Sequence, residues 1–111
     1  MTDKAAPESI LLLYVTAANA EEAERIADTL VEDRLAACAN IFPEIRSVYR
    51  WQGKICHDKE VALILKTRAC LADLAIARIK TLHSYECPCI VTAPVTNGNP
   101  DFLNWIQAET S

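Results

Sequence analysis

Three side chains that bind soft metal ions fall close together in this sequence: His83, Cys87 and Cys89. Imidazole nitrogen and thiolate sulfur are ligands for Cu(I) and Zn(II). In Cys87-Pro88-Cys89 the proline stiffens the chain, and residues two apart in an extended segment point to one side. The set therefore offers two sulfur donors and a nearby imidazole, and copper or another divalent cation is the cofactor it would take. The same spacing also arises when a histidine closes a helix and two cysteines pack as small apolar residues. No second cysteine pair completes a zinc-type motif.

These residues need elements to place them. Before His83, Leu71, Leu74, Ala75, Ile79 and Leu82 form the apolar stripe of a helix that starts after Thr67. Asp73 lies early in it and Arg78, Lys80 and His83 lie late, which suits the helix dipole. Ser84 to Pro88 is a break. Cys89 to Thr96 reads as a strand that Pro94 confines to an edge or a bulge. Asn99-Pro100-Asp101 opens a short helix to about Ala108, carrying Phe102, Leu103, Trp105 and Ile106.

The other half of the chain begins with a polar tail over residues 1–8. Residues 9–111 are expected to form one domain. Ser9 to Ala17 is an apolar run that reads as a central strand covered on both faces. Asn19 offers an N-cap and Glu22 a capping-box-like partner. Ala23, Ile26, Ala27 and Leu30 then mark one face of a helix ending near Ala36.

The segment from Cys38 to Thr67 sets the scale. It reads as two long strands joined by a turn at Trp51-Gln52-Gly53-Lys54, where Gly53 supplies the φ > 0 position. One parity of the outgoing strand holds Ala39, Ile41, Ile45, Tyr49 and Trp51. The return strand holds Val61, Leu63 and Leu65 on one parity. A straight strand from Cys38 to Trp51 would reach roughly 46 Å, while a domain of this size has a diameter of roughly 34 Å. Pro43 is the point where a bulge would bend the ribbon. The outer half would still overhang its own domain, so Tyr49 and Trp51 are expected to anchor a contact with a neighbouring copy.

Composition narrows the class. The chain has 111 residues, 51% of them hydrophobic, and a net charge of −4. That argues for a packed globule and against binding a nucleic-acid backbone, which needs a basic stripe. No apolar run is long enough to span a membrane. The opening residues lack the basic start and apolar core of a signal peptide, so a cytoplasmic location is expected. Five cysteines, an odd number, are expected to be reduced, with Cys38 and Cys70 behaving as buried apolar residues. Neither a G-x-S-x-G nucleophile elbow nor a phosphate-cradling glycine loop is present, and an enzyme is not expected. The element order gives an α+β fold: ferredoxin-like βαββαβ with an extended hairpin and a C-terminal helix.

Several segments resemble one family. Arg34-Leu-Ala-Ala-Cys-Ala-Asn-Ile41, Ser47-Val-Tyr-Arg-Trp-Gln-Gly-Lys-Ile55, Leu65-Lys-Thr67 and Ile79-Lys-Thr-Leu-His-Ser-Tyr-Glu-Cys-Pro88, followed by Ala93-Pro-Val95 and Phe102-Leu-Asn-Trp-Ile106, are similar to the CutA divalent-cation tolerance proteins. The resemblance runs from about residue 10 to 107. It implies a cytoplasmic homotrimer joined through the long hairpins, an association with copper and heavy-metal tolerance, and a likeness in shape to PII-type signalling proteins. The sequence departs from the family where ligands are usually sought. His-Pro-Tyr-Glu becomes His83-Ser84-Tyr85-Glu86, and Pro-Glu-Ile becomes Pro88-Cys89-Ile90. Of the Cys and paired His offered as copper ligands in some members, only His83 remains, beside Val15 and Leu82.

Glu60, Lys66, Tyr85 and Glu86 lie in or beside these motifs, and as functional residues they would line a cleft between subunits. As ordinary residues they are solvated strand charges and an amphipathic aromatic. Two functions follow. One is a trimeric metal-binding protein of divalent-cation tolerance or response. The other is a PII-like signalling or scaffold module that takes a small ligand or a partner protein in its inter-subunit clefts.

Overall fold

A computed structural model describes residues 9–111; the tail expected over residues 1–8 lies outside the described residues. The elements run β1 (Ile10–Ala17), α1 (Ala20–Glu32), β2 (Cys38–Trp51), β3 (Lys54–Arg68), a 3₁₀ turn (Ala69–Leu71), α2 (Ala72–Leu82), β4 (Ile90–Val95) and α3 (Pro100–Glu109). The four strands form one antiparallel sheet in the order β2-β3-β1-β4.

Local chemistry sets each boundary. Asn19 caps α1 by accepting the Glu22 N–H at 2.8 Å. Glu22 does not return to the Asn19 amide as a capping box would; its Oε1 accepts from the amide of Ala18, one residue earlier, at 3.0 Å. Ala23, Ile26, Ala27 and Leu30 are the apolar residues α1 buries, as the period required. The helix stops at Glu32 rather than near Ala36. Arg34 enters the left-handed region (φ 59°), and Arg34 and Leu35 donate back to Val31 and Leu30, closing a Schellman turn without glycine. After β3 the 3₁₀ turn delays α2 to Ala72. Leu74 accordingly points outward, 60% exposed, while Ala75 and Ile79 are buried. Cys70, expected inside, is exposed on that turn, whereas Cys38 is half-buried. No disulfide joins any of the five cysteines.

The core lies between one sheet face and the two long helices. Leu13, Val15, Leu63 and Leu65 meet Ile26, Leu30, Ala75 and Ile79, all fully buried. β1 is central, yet only one of its faces is closed. Tyr14, Phe42 and Val91 remain 37%, 43% and 55% exposed on the other face, part of which α3 covers through Ile106 against Ile10 and Ala37. β4, with Pro94, is an edge strand as its proline demanded.

The hairpin keeps its length. Gln52 and Gly53 turn it with φ of 50° and 79°, the signs of a type I′ turn. A bulge interrupts the register between Phe42 and Ile45, at Pro43. The extra residue exchanges the faces, so Ile45, Tyr49 and Trp51 sit opposite Glu60, Cys56 and Lys54 on the parity of Phe42 rather than that of Ala39 and Ile41. The described chain extends 46 Å along its long axis against 27 and 24 Å across.

Candidate functional site

β1 is shorter than the hairpin beside it. Its pairing with β3 stops at Ala17 opposite Val61, and its pairing with β4 stops at Val15 opposite Ile90. From Glu60 outward β3 has no inner neighbour, and the segment 83–89 between α2 and β4 lies there instead. Between that segment and the hairpin lies a cleft of about 800 Å³, walled by Tyr49, Trp51 and Glu60 on one side and Tyr85, Cys87 and Cys89 on the other. Its size falls in the ordinary range for small-ligand sites.

A buried acid fixes the segment. Glu22, with a side chain 4% exposed, accepts from the Ala18 amide through Oε1 and from the Ser84 amide through Oε2 at 2.9 Å. Burial pushes its pKa up, but the hydrogen bonds from Ala18 and Ser84 outweigh it and hold the carboxyl below its usual range. One side chain thus serves the start of α1 and the entry to the cleft.

His83 is locked behind the wall. Its Nε2 lies 2.7 Å from the Thr16 carbonyl, which can only accept, so Nε2 carries the proton. Nδ1 accepts the Tyr85 N–H at 3.1 Å. The side chain has no exposed surface and Glu22 Oε1 lies 3.8 Å away. This corrects its assignment as a metal ligand: both nitrogens are committed to backbone groups. His83 is also the residue after α2, so it does not serve as a last-turn cation for the helix dipole.

Two tyrosines dress the cleft with carboxylates. Tyr85 donates to Glu60 Oε2 at 2.7 Å, and burial, with that hydrogen bond and charge, raises its pKa well above the usual phenol value. Tyr49 donates to Asp58 Oδ2, and this bond is the main reason its pKa rises to about 12. Both phenols therefore stay protonated as donors at neutral pH.

The structure thus gathers Tyr49, Trp51, Glu60, Tyr85, Glu86, Cys87 and Cys89 around one cleft. Lys66 is elsewhere. It sits across from Leu12 and Cys38, donates to Asn40, and holds its ammonium 6.0 Å from the Phe102 ring centre. Among the described residues no three His, Cys, Asp or Glu side chains form a group able to hold a metal ion. The residues do not fit a His83–Cys87–Cys89 centre within one protomer; the two exposed thiols remain as donors. Glu22, Asp58 and Arg46 escaped the sequence reading as site residues. Asn19-x-x-Glu22 signals only a helix start, and the contact to Ser84, 62 residues on, leaves no local mark.

The family model described as "CutA1 divalent ion tolerance protein" matches residues 11–109. The Divalent-cation tolerance protein CutA of Archaeoglobus fulgidus is 48% identical over 95 residues, 86% of this chain and 92% of that protein. Protein CutA of Mus musculus is 39% identical over 94% of this chain. The chain spans only 59% of that mouse protein, and 56% and 55% of the chloroplastic relatives from rice and Arabidopsis. Among solved structures, the divalent cation tolerance protein of Thermus thermophilus superposes with a TM-score of 0.90 at 40% identity, covering 92% of this chain and 99% of that one.

Proposed function

This chain belongs to the CutA1 divalent ion tolerance family, and from that premise we propose that it is a metal-binding response protein working as a homotrimer. The observation that carries the metal reading is the pair Cys87 and Cys89, exposed and lining one cleft. Two thiols two residues apart suit a soft ion such as Cu(I). A neighbouring copy would supply further ligands, Glu60 or His57 being the nearest in kind. His83 positions the segment through Thr16 and Tyr85 and stays out of the metal shell. Binding rather than catalysis is part of the reading.

The trimer is supported by what one protomer leaves uncovered. One sheet face shows Tyr14, Phe42 and Val91, and the overhanging ribbon continues that face with Tyr49 and Trp51, each between 37% and 55% exposed. An exposed apolar surface rimmed by polar groups marks an interaction site. β2 is moreover a 14-residue edge strand with unpaired backbone groups along it. The ferredoxin-like arrangement, with both long helices on one side, leaves the other side to copies of itself. A cytoplasmic location belongs to the same reading and suits five cysteines without disulfides.

Titration of Cu(I) against a competing chelator tests the metal. Affinity should fall sharply in Cys87→Ser/Cys89→Ser and persist in His83→Gln, whose cost should appear in thermal stability instead. Equal affinity in the double serine variant removes the site. Light scattering tests the assembly: a mass three times the 12.3 kDa of the chain is expected, and 12.3 kDa itself would end the reading.

A further inference from the structure

The outer half of the hairpin carries the wrong charge for this protein. Residues 45–60 hold four Lys or Arg (46, 50, 54, 59) against two acids (58, 60), a net +2, while the whole chain is −4 and the remainder therefore −6. The positive groups are not scattered. Register and strand alternation place Arg46, Val48 and Arg50 on one face, opposite Lys59, His57 and Ile55. Arg46 stands directly across from Lys59. Side chains so placed begin about 5 Å apart, and like charges there are destabilising.

Among the described residues no ion pair relieves this. Asp58 is committed to the Tyr49 hydroxyl and Glu60 to the Tyr85 hydroxyl. Among the described residues none of Arg46, Arg50, His57 and Lys59 has a carboxylate within ion-pair distance, and all four are exposed. Arg46, Ser47, Val48, His57, Asp58 and Lys59 border a pocket of about 430 Å³ that adjoins the cleft through Arg46, Ser47 and Val48, and Arg50 lies beyond it on the same face. The parity that carries Tyr49 and Trp51, proposed to meet another copy, is the opposite one.

We propose that this face is a binding site for a compact polyanion, a ligand with two or more adjacent negative groups of the oligophosphate or polycarboxylate type. The guanidinium forks of Arg46 and Arg50 match oxyanions in pairs of hydrogen bonds, and Lys59 adds a point charge. The pocket volume is that of a small ligand. The −6 of the remaining chain disfavours a long polyanion such as nucleic acid, whose charge extends past the patch. Its charges come from Arg46, Arg50 and Lys59 and not from Cys87 or Cys89, so polyanion binding should persist in Cys87→Ser/Cys89→Ser, which tells its failure from that of the metal reading.

Calorimetry and thermal melts of the full chain with tripolyphosphate and with citrate test it. Saturable binding, one per protomer, with a rise in melting temperature is expected for at least one probe, and the better probe identifies the chemistry. Arg46→Gln/Lys59→Gln should weaken binding about tenfold or more and should melt higher than wild type without ligand, because the opposed charges are gone. Lys80→Gln, on exposed α2, should bind as wild type. Should the double variant not fold, Arg46→Lys is read instead, since it keeps the charge and loses the fork; it should still bind more weakly. The proposal is overturned if neither probe saturates, if the charge-removed variants bind as wild type, or if only single-stranded DNA binds.

Discussion

The inner and outer halves of this molecule obey different rules. In the inner half, Leu13, Val15, Leu63 and Leu65 have no exposed surface and every neighbour is supplied by the same chain. In the outer half, Val48 is 66% exposed, Ile55 55% and Trp51 43%, and cations face cations. The first region is explained by its own packing. The second contains apolar and charged groups that a lone chain leaves uncovered, which the proposed assembly and ligand would cover. The bulge at Pro43 is the border, and it also exchanges which side chains face which way.

The sharpest way to break that contrast is to delete matched side chains on either side of the border. Leu63→Ala, in the fully buried core, should cost about 3 kcal/mol in urea unfolding. Val48→Ala should cost no more than about 0.5 kcal/mol in a dissociated chain. A Val48→Ala loss as large as that of Leu63→Ala would mean a neighbouring copy buries the outer half under the conditions of measurement.

Glu22 joins the two halves, because it holds the segment that carries Tyr85 against Glu60. Glu22→Gln should cost about 2 kcal/mol near neutral pH, since an amide replaces a charged acceptor of two backbone donors. The folded pKa lies below the ordinary 4.5. Above 4.5 both states are ionised and the contribution is complete. As pH falls below that value the unfolded chain takes up the proton first, so stability drops until the folded pKa is passed. The wild-type stability curve should therefore fall towards that of Glu22→Gln in acid, and parallel curves would show that the carboxylate is not held as described.

Much of the inner half was legible in the sequence because its determinants are local and periodic. Asn19, the stripe from Ala23 to Leu30, Pro94 and Asn99-Pro100 each act within a turn or two of themselves. The hairpin length, its turn and its bulge were legible for the same reason. Legibility failed where residues distant in sequence meet. His83 looked like a ligand, but its Nε2–H donates to the Thr16 carbonyl, 67 residues away. Lys66 looked like a cleft residue, but it lies six residues along β3 from Glu60, beside Asn40 and Phe102. The basic face stayed hidden because a net charge averages over the chain, and because the shift at Pro43 decides which residues stand together.

Thr67 offers a smaller effect. It is fully buried opposite Leu11, and its hydroxyl has no hydrogen-bond partner among the described residues. A buried hydroxyl left unpaired costs desolvation without return, so Thr67→Val should raise stability by about 1 kcal/mol. A loss on that change, followed by urea midpoint, would show that the hydroxyl is paired in solution.

The smallest effect separates the halves most cleanly. Gln52 sits at φ 50° in the hairpin turn, a conformation a side chain with a Cβ tolerates poorly. Asparagine before Gly53 is the favoured residue pair for this turn, so Gln52→Asn should stabilise the tip by at most about 1 kcal/mol. Residues 50–55 at the tip are all exposed, and regions with few buried contacts open independently of the rest. The gain should therefore appear as slower hydrogen exchange at amides near the turn, from Arg50 to Ile55, while the global urea midpoint stays where it was. A global midpoint that moves with the tip would mean that the ribbon unfolds together with the core, and the border drawn at Pro43 would lose its energetic meaning.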